Sequence, residues 1–537
     1  MNNFHNKSVN VHSFAMVPSS EIPRSSFRME RKLCTAFDSG YLVPIFCEEM
    51  LPGDTFNLSA TMLGRLVTPI VPFMDNLYLD TFYFYVPNRL VWDNWVRFMG
   101  EQDAPGDSIS YTVPQITANA GGYSIGSVHD YFGLPTAGQV PPGNNINHSS
   151  LPLRMYNLIY NTWFRDENLC QPRPVNKSSN GPDAYTDYVL QRRGKRHDYF
   201  TSALPWVQKG TTSVTLPLGT TAPIKTLTPL ATQLFQTTGG VNVGQINAQS
   251  GAGSNALFSS GTGGATAGVT FRDPVQLYAD LSTATAATIN QIRQAFQLQR
   301  LLEKDARGGT RYTEVVRVHF GVASPDARLD RPEYLGGGSQ LINVNPIAQT
   351  SATGVTGGTT PGGNLNAVGH VVARNGFTYS SVEHGYVIGL ANIRADLTYQ
   401  QGLRRHWSRH TRQDYYFPVF AYLGEQAILN KEIYARGDAN DNLVFGYQER
   451  WAEYRYLPSE ITGKMRSTAS GTLDVWHAAQ NFTSLPTLNA TFIEENPPIG
   501  RLSAVPSEPQ IKFDAFFSIK AARPLPMYSV PGLVDHL

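Results

Sequence analysis

Three things are scarce in this chain of 537 residues. Cysteine occurs three times, at Cys34, Cys47 and Cys170. An odd number without metal-ligand spacing argues against a disulfide framework and reads as reduced thiols in a cytosolic setting. Charge is sparse as well. Asp, Glu, Lys and Arg make up 16% of the chain, against roughly 25% in ordinary globular domains. The two signs nearly cancel, leaving a net charge of +1, so the chain as a whole is not a polycation that coats nucleic acid. Long apolar runs are missing too. No window of about 20 residues is apolar enough to span a bilayer. The stretch "MNNFHNKSVNVHSFAMVPSS" (1–20) lacks the basic start and apolar run of a signal peptide. The expectation is a protein made and used in the cytoplasm, with no membrane insertion.

Gly, Pro, Ser, Thr and Asn fill the place of the missing charge. With 41% hydrophobic residues the chain can bury a large core. Strand signals recur between turn residues. In "QIKFDAFFSIK" (510–520), Ile511, Phe513, Ala515, Phe517 and Ile519 alternate with a more polar face. "RYTEVVRVHFG" (311–321) and "YVIGLANIRADLTY" (386–399) read as strands in the same way. Helices are few. The best is "STATAATINQIRQAFQLQRLLEKDARGG" (282–309), with Ile289, Ile292 and Phe296 at helical spacing and a Gly–Gly stop. "EQAILNKEIYARGD" (425–438) is a second, shorter one. Residues 1–35 read as an extended arm. Many strands with long irregular connections argue for an all-β sandwich or jelly roll. Thr226 to Phe271 and Ser339 to Ala373 contain no Asp, Glu, Lys or Arg. They read either as flexible linkers or as inserted surface loops that meet neighbours or an outside partner.

Catalytic patterns fail on their context. "GYSIG" (122–126) matches the nucleophile elbow G-x-S-x-G, but a loop composition precedes it where a strand is required. "GAGSNA" (251–256) lacks the strand that a dinucleotide turn needs. "HWSRH" holds His406 and His410 four apart, yet Trp407 stands where a metalloprotease has Glu, and arginines surround the pair. In "DANDNLVFGYQE" (438–449), Asp438, Asn440, Asn442 and Glu449 occupy calcium-loop positions, but Leu443 replaces the obligatory Gly. This is a weak calcium candidate beside a plain surface turn. No nucleophile is paired with a base and no cofactor motif stands, so the expectation is not an enzyme.

Two basic stretches carry aromatics. "QRRGKRHDYF" (191–200) holds Arg192, Arg193, Lys195 and Arg196; "GLRRHWSRHTRQDYY" (402–416) holds Arg404, Arg405, Arg409 and Arg412 around Trp407. Bases stack on rings while cations meet phosphate, which suits single-stranded nucleic acid. The same mixture suits protein interfaces, and an intramolecular cluster is the third reading. "LYLDTFYFYVPNRLVWDNWVRFMGEQ" (77–102) is apolar on both strand faces, as in a strand covered on both sides. After Pro87 it continues as a short helix, with Trp92 and Trp95 on one stripe. Trp92, Trp95 and Trp407 are core or interface anchors.

The block from Gly40 to Gln102, "GYLVPIFCEEMLPGDTF…VRFMGEQ", resembles the N-terminal part of the major capsid proteins of gokushoviruses, small icosahedral single-stranded DNA phages of the microvirus family. The resemblance continues through "RPEYLGG" (331–337), "NGFTYSSVEHGYVIGLANIRADLTYQQGL" (375–403), "FGYQERWAEYRYLPSEITGKMRS" (445–467) and "ARPLPMYSVPGLVDHL" (522–537), and weakens in the two uncharged stretches. It implies an eight-stranded antiparallel viral jelly roll with long loop insertions and a few short helices. It further implies about sixty copies in a closed T=1 shell around circular single-stranded DNA. On this reading 1–537 is one capsid domain with extended terminal arms. Residues 207–271 best fit a surface protrusion used in host attachment, and 336–375 a second surface insertion. Implied partners are further copies of the chain, the DNA genome, a small basic DNA-associated protein, scaffolding and pilot proteins, and a host receptor. The virion capsid would be assembled in the bacterial cytoplasm. Sixty copies at +1 neutralise few of a genome's phosphates, which carry about one charge per nucleotide, so a separate basic protein or small cations must do so. The competing reading is a jelly-roll carbohydrate-binding protein, which would need an exposed aromatic platform.

Overall fold

The computed structural model describes residues 23–210, 289–309, 311–322, 330–348 and 365–528, together with the backbone of short strands between 224 and 279. Nine strands among them form two antiparallel sheets. In chain order they are β1 (Ser25–Phe37), β2 (Val43–Met50), β3 (Thr55–Leu66), β4 (Leu77–Pro87), β5 (Glu333–Leu341), β6 (Asn343–Ala348), β7 (Leu365–Ser380), β8 (Gly385–Ala395) and β9 (Ile511–Arg523). One sheet has the order β1-β9-β3-β7-β6, the other β5-β4-β8-β2.

β9 shows why the sheets form. Ile511, Phe513, Ala515, Phe517 and Ile519 point inward and are buried, while Lys512, Phe516 and Lys520 are exposed. The strand lies between β1, in register from Ser25↔Arg523 to Phe37↔Ile511, and β3, from Thr55↔Ala522 to Leu66↔Ile511. Its inner face meets the other sheet through rings: Phe517 lies 5.2 Å from Phe46 of β2. Tyr83 and Tyr85 of β4 likewise meet Phe377 and Tyr379 of β7. Two sheets with interdigitating inner faces make an antiparallel jelly-roll sandwich.

β4 is covered on both sides. Leu77, Leu79, Tyr83 and Tyr85 enter the sandwich core. Phe84 and Val86 enter a second core with Ile388, Trp92 and helix α1 (Leu151–Ile159). A third core gathers Tyr199, Phe200, Ile428, Ile433, Phe445 and Phe492.

The chain divides into two compact units, residues 1–207 with 308–537, and residues 208–307. In the second unit three antiparallel pairs are nested. Ile224–Thr226 pairs with Leu277–Ala279, Phe235–Thr237 with Val269–Phe271, and Ile246–Gly251 with Ser254–Ser259. Helix α2 (Ile289–Arg307) follows, within the span expected to be helical.

Two local expectations differ from the structure. Residues 311–321 are not a strand but contain helix α3 (Tyr312–Phe320). Glu314 reaches back to the Arg311 N–H, and Gly321 ends the helix at φ 72°, so local capping outweighs the apparent alternation. Residues 425–438 hold only a one-turn helix, Asn430–Ile433. Glu425–Leu429 instead forms a hairpin with Val444–Glu449, because ladder pairing satisfies its backbone. Of the stretch 1–35 read as an extended arm, the part from Ser25 onward forms edge strand β1, and residues 1–22 lie outside the described residues. Within 336–375, read as a surface insertion, residues 336–341, 343–348 and 365–375 belong to strands β5, β6 and β7, and 349–364 lie outside the described residues.

Candidate interaction surface

Most of the stretch 191–200 is directed inward. Arg192 lies over the Tyr41 ring at 4.0 Å and donates to the Glu495 carbonyl at 3.0 Å. Arg193 and Arg394 share one oxygen of Asp80, at 2.6 and 2.9 Å. Lys195 is buried and donates to the Phe492 carbonyl at 2.5 Å. Burial pushes the Lys195 ammonium down to about 8, against the pull of Glu495 and Asp198. Burial also pushes the Glu495 carboxyl up to about 7, although Arg193 and Arg394 draw it down. Three of the four cations therefore hold the subunit together, and Arg196 is the exposed one.

The stretch 402–416 divides similarly. Arg405 binds Glu432 at 3.0 Å and the Ala427 carbonyl at 2.8 Å. Glu432 is buried and also accepts the Tyr199 hydroxyl at 2.8 Å. Burial raises the Glu432 carboxyl above the usual range despite Arg405. Arg409 binds Glu453 at 3.1 Å beneath the Tyr454 ring. Arg404 meets Glu460 at 3.1 Å nearer the surface. Arg412 is exposed and lies over Phe417. These carboxylates lie 20 to 60 residues downstream of the arginines, so spacing gave no signal for them.

The tryptophans separate. Trp92 is fully buried and its indole N–H donates to Asn180 Oδ1 at 2.9 Å. Trp95 is buried beside it, with ring centroids 6.4 Å apart. The expected helix is shorter than read, Trp95–Phe98, with a 3-10 turn at Asn88–Leu90. Trp407 is 70% exposed. It lines a cavity of about 330 Å³ together with Tyr199, Tyr454, Tyr456, Arg405 and Glu432.

The calcium-loop residues do not converge. Asp438 Oδ1 accepts the Asn440 N–H at 2.9 Å and caps the 3-10 turn Ala439–Asn442. Asn442 accepts from Lys431, and Glu449 pairs with Arg455. Glu449 ends the strand that begins at Val444. At roughly 3.4 Å per residue an extended strand carries it far from the turn. Among the described residues, no group of three or more His, Cys, Asp and Glu is arranged to hold a metal ion. "GYSIG" is a turn, with Gly122 and Gly126 at positive φ and only the one-turn helix Val128–Tyr131 after it.

Between Leu403 and Leu423 most large apolar side chains face solvent. A family model described as "Capsid protein (F protein)" matches residues 15–533. The chain belongs to this phage capsid protein family. It is 48% identical to capsid protein VP1 of Bdellovibrio phage phiMH2K, over 97% of this chain and 98% of the relative. It is 43% identical to capsid protein VP1 of Chlamydia phage 1, over 98% of each, and 38% identical to that of Spiroplasma virus 4, over 97% and 98%. The gokushovirus resemblance thus extends along the whole chain. A capsid family protein is a virion component and a structural protein, not an enzyme. Its sequence-matched span takes in the sandwich and all three aromatic cores.

Proposed function

We propose that about sixty copies of this capsid protein close into a T=1 shell, with closed symmetry, around a circular single-stranded DNA genome. The observation that carries this reading is the jelly-roll sandwich in a chain aligned end to end with phage capsid proteins. Near-neutral charge supports it, since strongly like-charged copies would repel across every contact in a shell. The same near-neutrality favours a separate basic protein or small cations as the main counter-charge for the DNA. Arg196, the exposed cation of its stretch, is the residue of that stretch best suited to touch phosphate. Scaffolding and pilot proteins, and assembly in the bacterial cytoplasm, belong to the same reading.

The insertion at 207–271 serves host attachment in this proposal. Its support is the nested antiparallel pairing of Ile224–Thr226 with Leu277–Ala279, Phe235–Thr237 with Val269–Phe271 and Ile246–Gly251 with Ser254–Ser259, an out-and-back course that suits a projecting element. Electron microscopy of virions tests the shell: closed particles of sixty-subunit size are expected, and an open or larger lattice refutes it. Deleting residues 226–271 tests the insertion: shells should form and adsorption should fail. Loss of assembly would assign the segment to subunit contacts instead.

A further inference from the structure

The segment from Gly402 to Gly424 is a strap of short 3-10 turns, Arg405–Ser408, Arg412–Asp414 and Pro418–Phe420. It shows water a row of large side chains. Tyr422 is 96% exposed and Val419 80%, and Trp407, Tyr415 and Tyr416 are also exposed. Part of this row is anchored to rings outside the strap, among them the buried Trp451. Tyr416 lies 5.5 Å from Trp451 and 6.3 Å from Tyr454, and Arg409 lies over both Tyr415 and Tyr454. A segment that exposes this many large apolar side chains marks an interaction site.

The strap is held in place before any partner arrives. The Trp451 indole donates to the Phe420 carbonyl at 3.0 Å. Asp414 accepts the backbone N–H groups of His410 and Thr411 at 2.9 and 2.7 Å. Arg405 and Arg409 tie it to Glu432 and Glu453. A pre-ordered surface loses little entropy on binding.

Charge decides the occupant. Three of the strap's four arginines already have carboxylates, Glu460, Glu432 and Glu453, and the fourth lies over Phe417. Covering the patch therefore strands none of these three cations, which would be costly unpaired, and leaves only the exposed Arg412 for a partner to meet. DNA would find few free cations to replace its counterions. A basic peptide would find no free carboxylate in the strap, whose one acidic residue, Asp414, is engaged by its own backbone. The near-neutral partner this surface fits is a second copy of the chain, whose own net charge is +1.

We propose that residues 402–424 form a seam between neighbouring subunits, with Trp407, Tyr416, Val419 and Tyr422 buried against a second copy. This rests on the shell reading above. The test introduces Val419→Glu and Tyr422→Glu separately into phage grown in its host, with Val419→Cys for cross-linking. Both glutamate sites are so exposed that the isolated subunit should keep its melting temperature. Shell yield should fall about tenfold or more, the loss expected of an anchor worth 1.4 kcal/mol or more. Val419→Cys virions should give cross-links between copies with a thiol-reactive bifunctional reagent. Normal yield for both glutamate variants, or shells of normal number with depleted DNA, overturns the seam. Absence of closed shells from the unaltered protein would overturn the shell reading itself, a result the unaltered control reports separately.

Discussion

The Arg154 guanidinium grips the Asp183 carboxylate with two parallel bonds, Nε to Oδ2 at 2.7 Å and Nη2 to Oδ1 at 2.6 Å, and both side chains are out of water. The Tyr188 hydroxyl donates to the same carboxylate at 2.6 Å. The remaining Arg154 donors reach the carbonyls of Val91 and Ser179. One ion pair thus joins helix α1, the turn before Trp95 and the 179–188 loop. Arg154→Met should cost about 3–5 kcal/mol, because it leaves a buried carboxylate unpaired. Urea unfolding of the subunit measures this. Adding Asp183→Leu should recover part of the loss.

Trp92 fills the core that this pair closes. Trp92→Ala should destabilise the subunit by about 3–5 kcal/mol, the usual cost of a large buried cavity. A soluble variant with unchanged melting temperature that fails only in assembly would contradict its internal role.

The basic stretches make a paired prediction. Arg405→Gln leaves the buried Glu432 short of its cation and should lower the melting temperature by several degrees, as a loss of a few kcal/mol does. Arg196→Gln, at an exposed site, should leave thermal stability nearly unchanged. Differential scanning fluorimetry compares the two directly.

Glu495 gives a pH dependence of unusual sign. Its folded value, pushed up to about 7, lies above the ordinary carboxylate value. A group whose value rises on folding stabilises the fold at low pH and loses that contribution as pH increases through the folded value. Stability should therefore decline between about pH 4.5 and 7 from this residue. Glu495→Gln should flatten that decline in denaturation curves taken across the range. An unchanged slope would assign the pH dependence to other groups.

Much of the sandwich was legible because strand alternation has a strict period. The faces of 511–519 and the two-sided burial of 77–86 follow from residue order. α3 was misread because its apolar residues satisfy alternation and helical spacing alike, and the decision fell to Glu314 and Gly321 at its ends. The basic stretches were legible as clusters of cations but not as to their use. Asp80, Glu432 and Glu453 meet their arginines only after folding, across 113, 27 and 44 residues.

By itself the sequence determined the all-β class, the doubly covered strand and the capsid family, since these rest on local periodicity and on residue order along the whole chain. Tertiary structure decided which cations are consumed inside the subunit, that Trp92 is core while Trp407 is surface, and which rings of 402–424 face water. Burial and ion pairing depend on what the rest of the fold brings alongside a side chain, and spacing along the chain does not encode that.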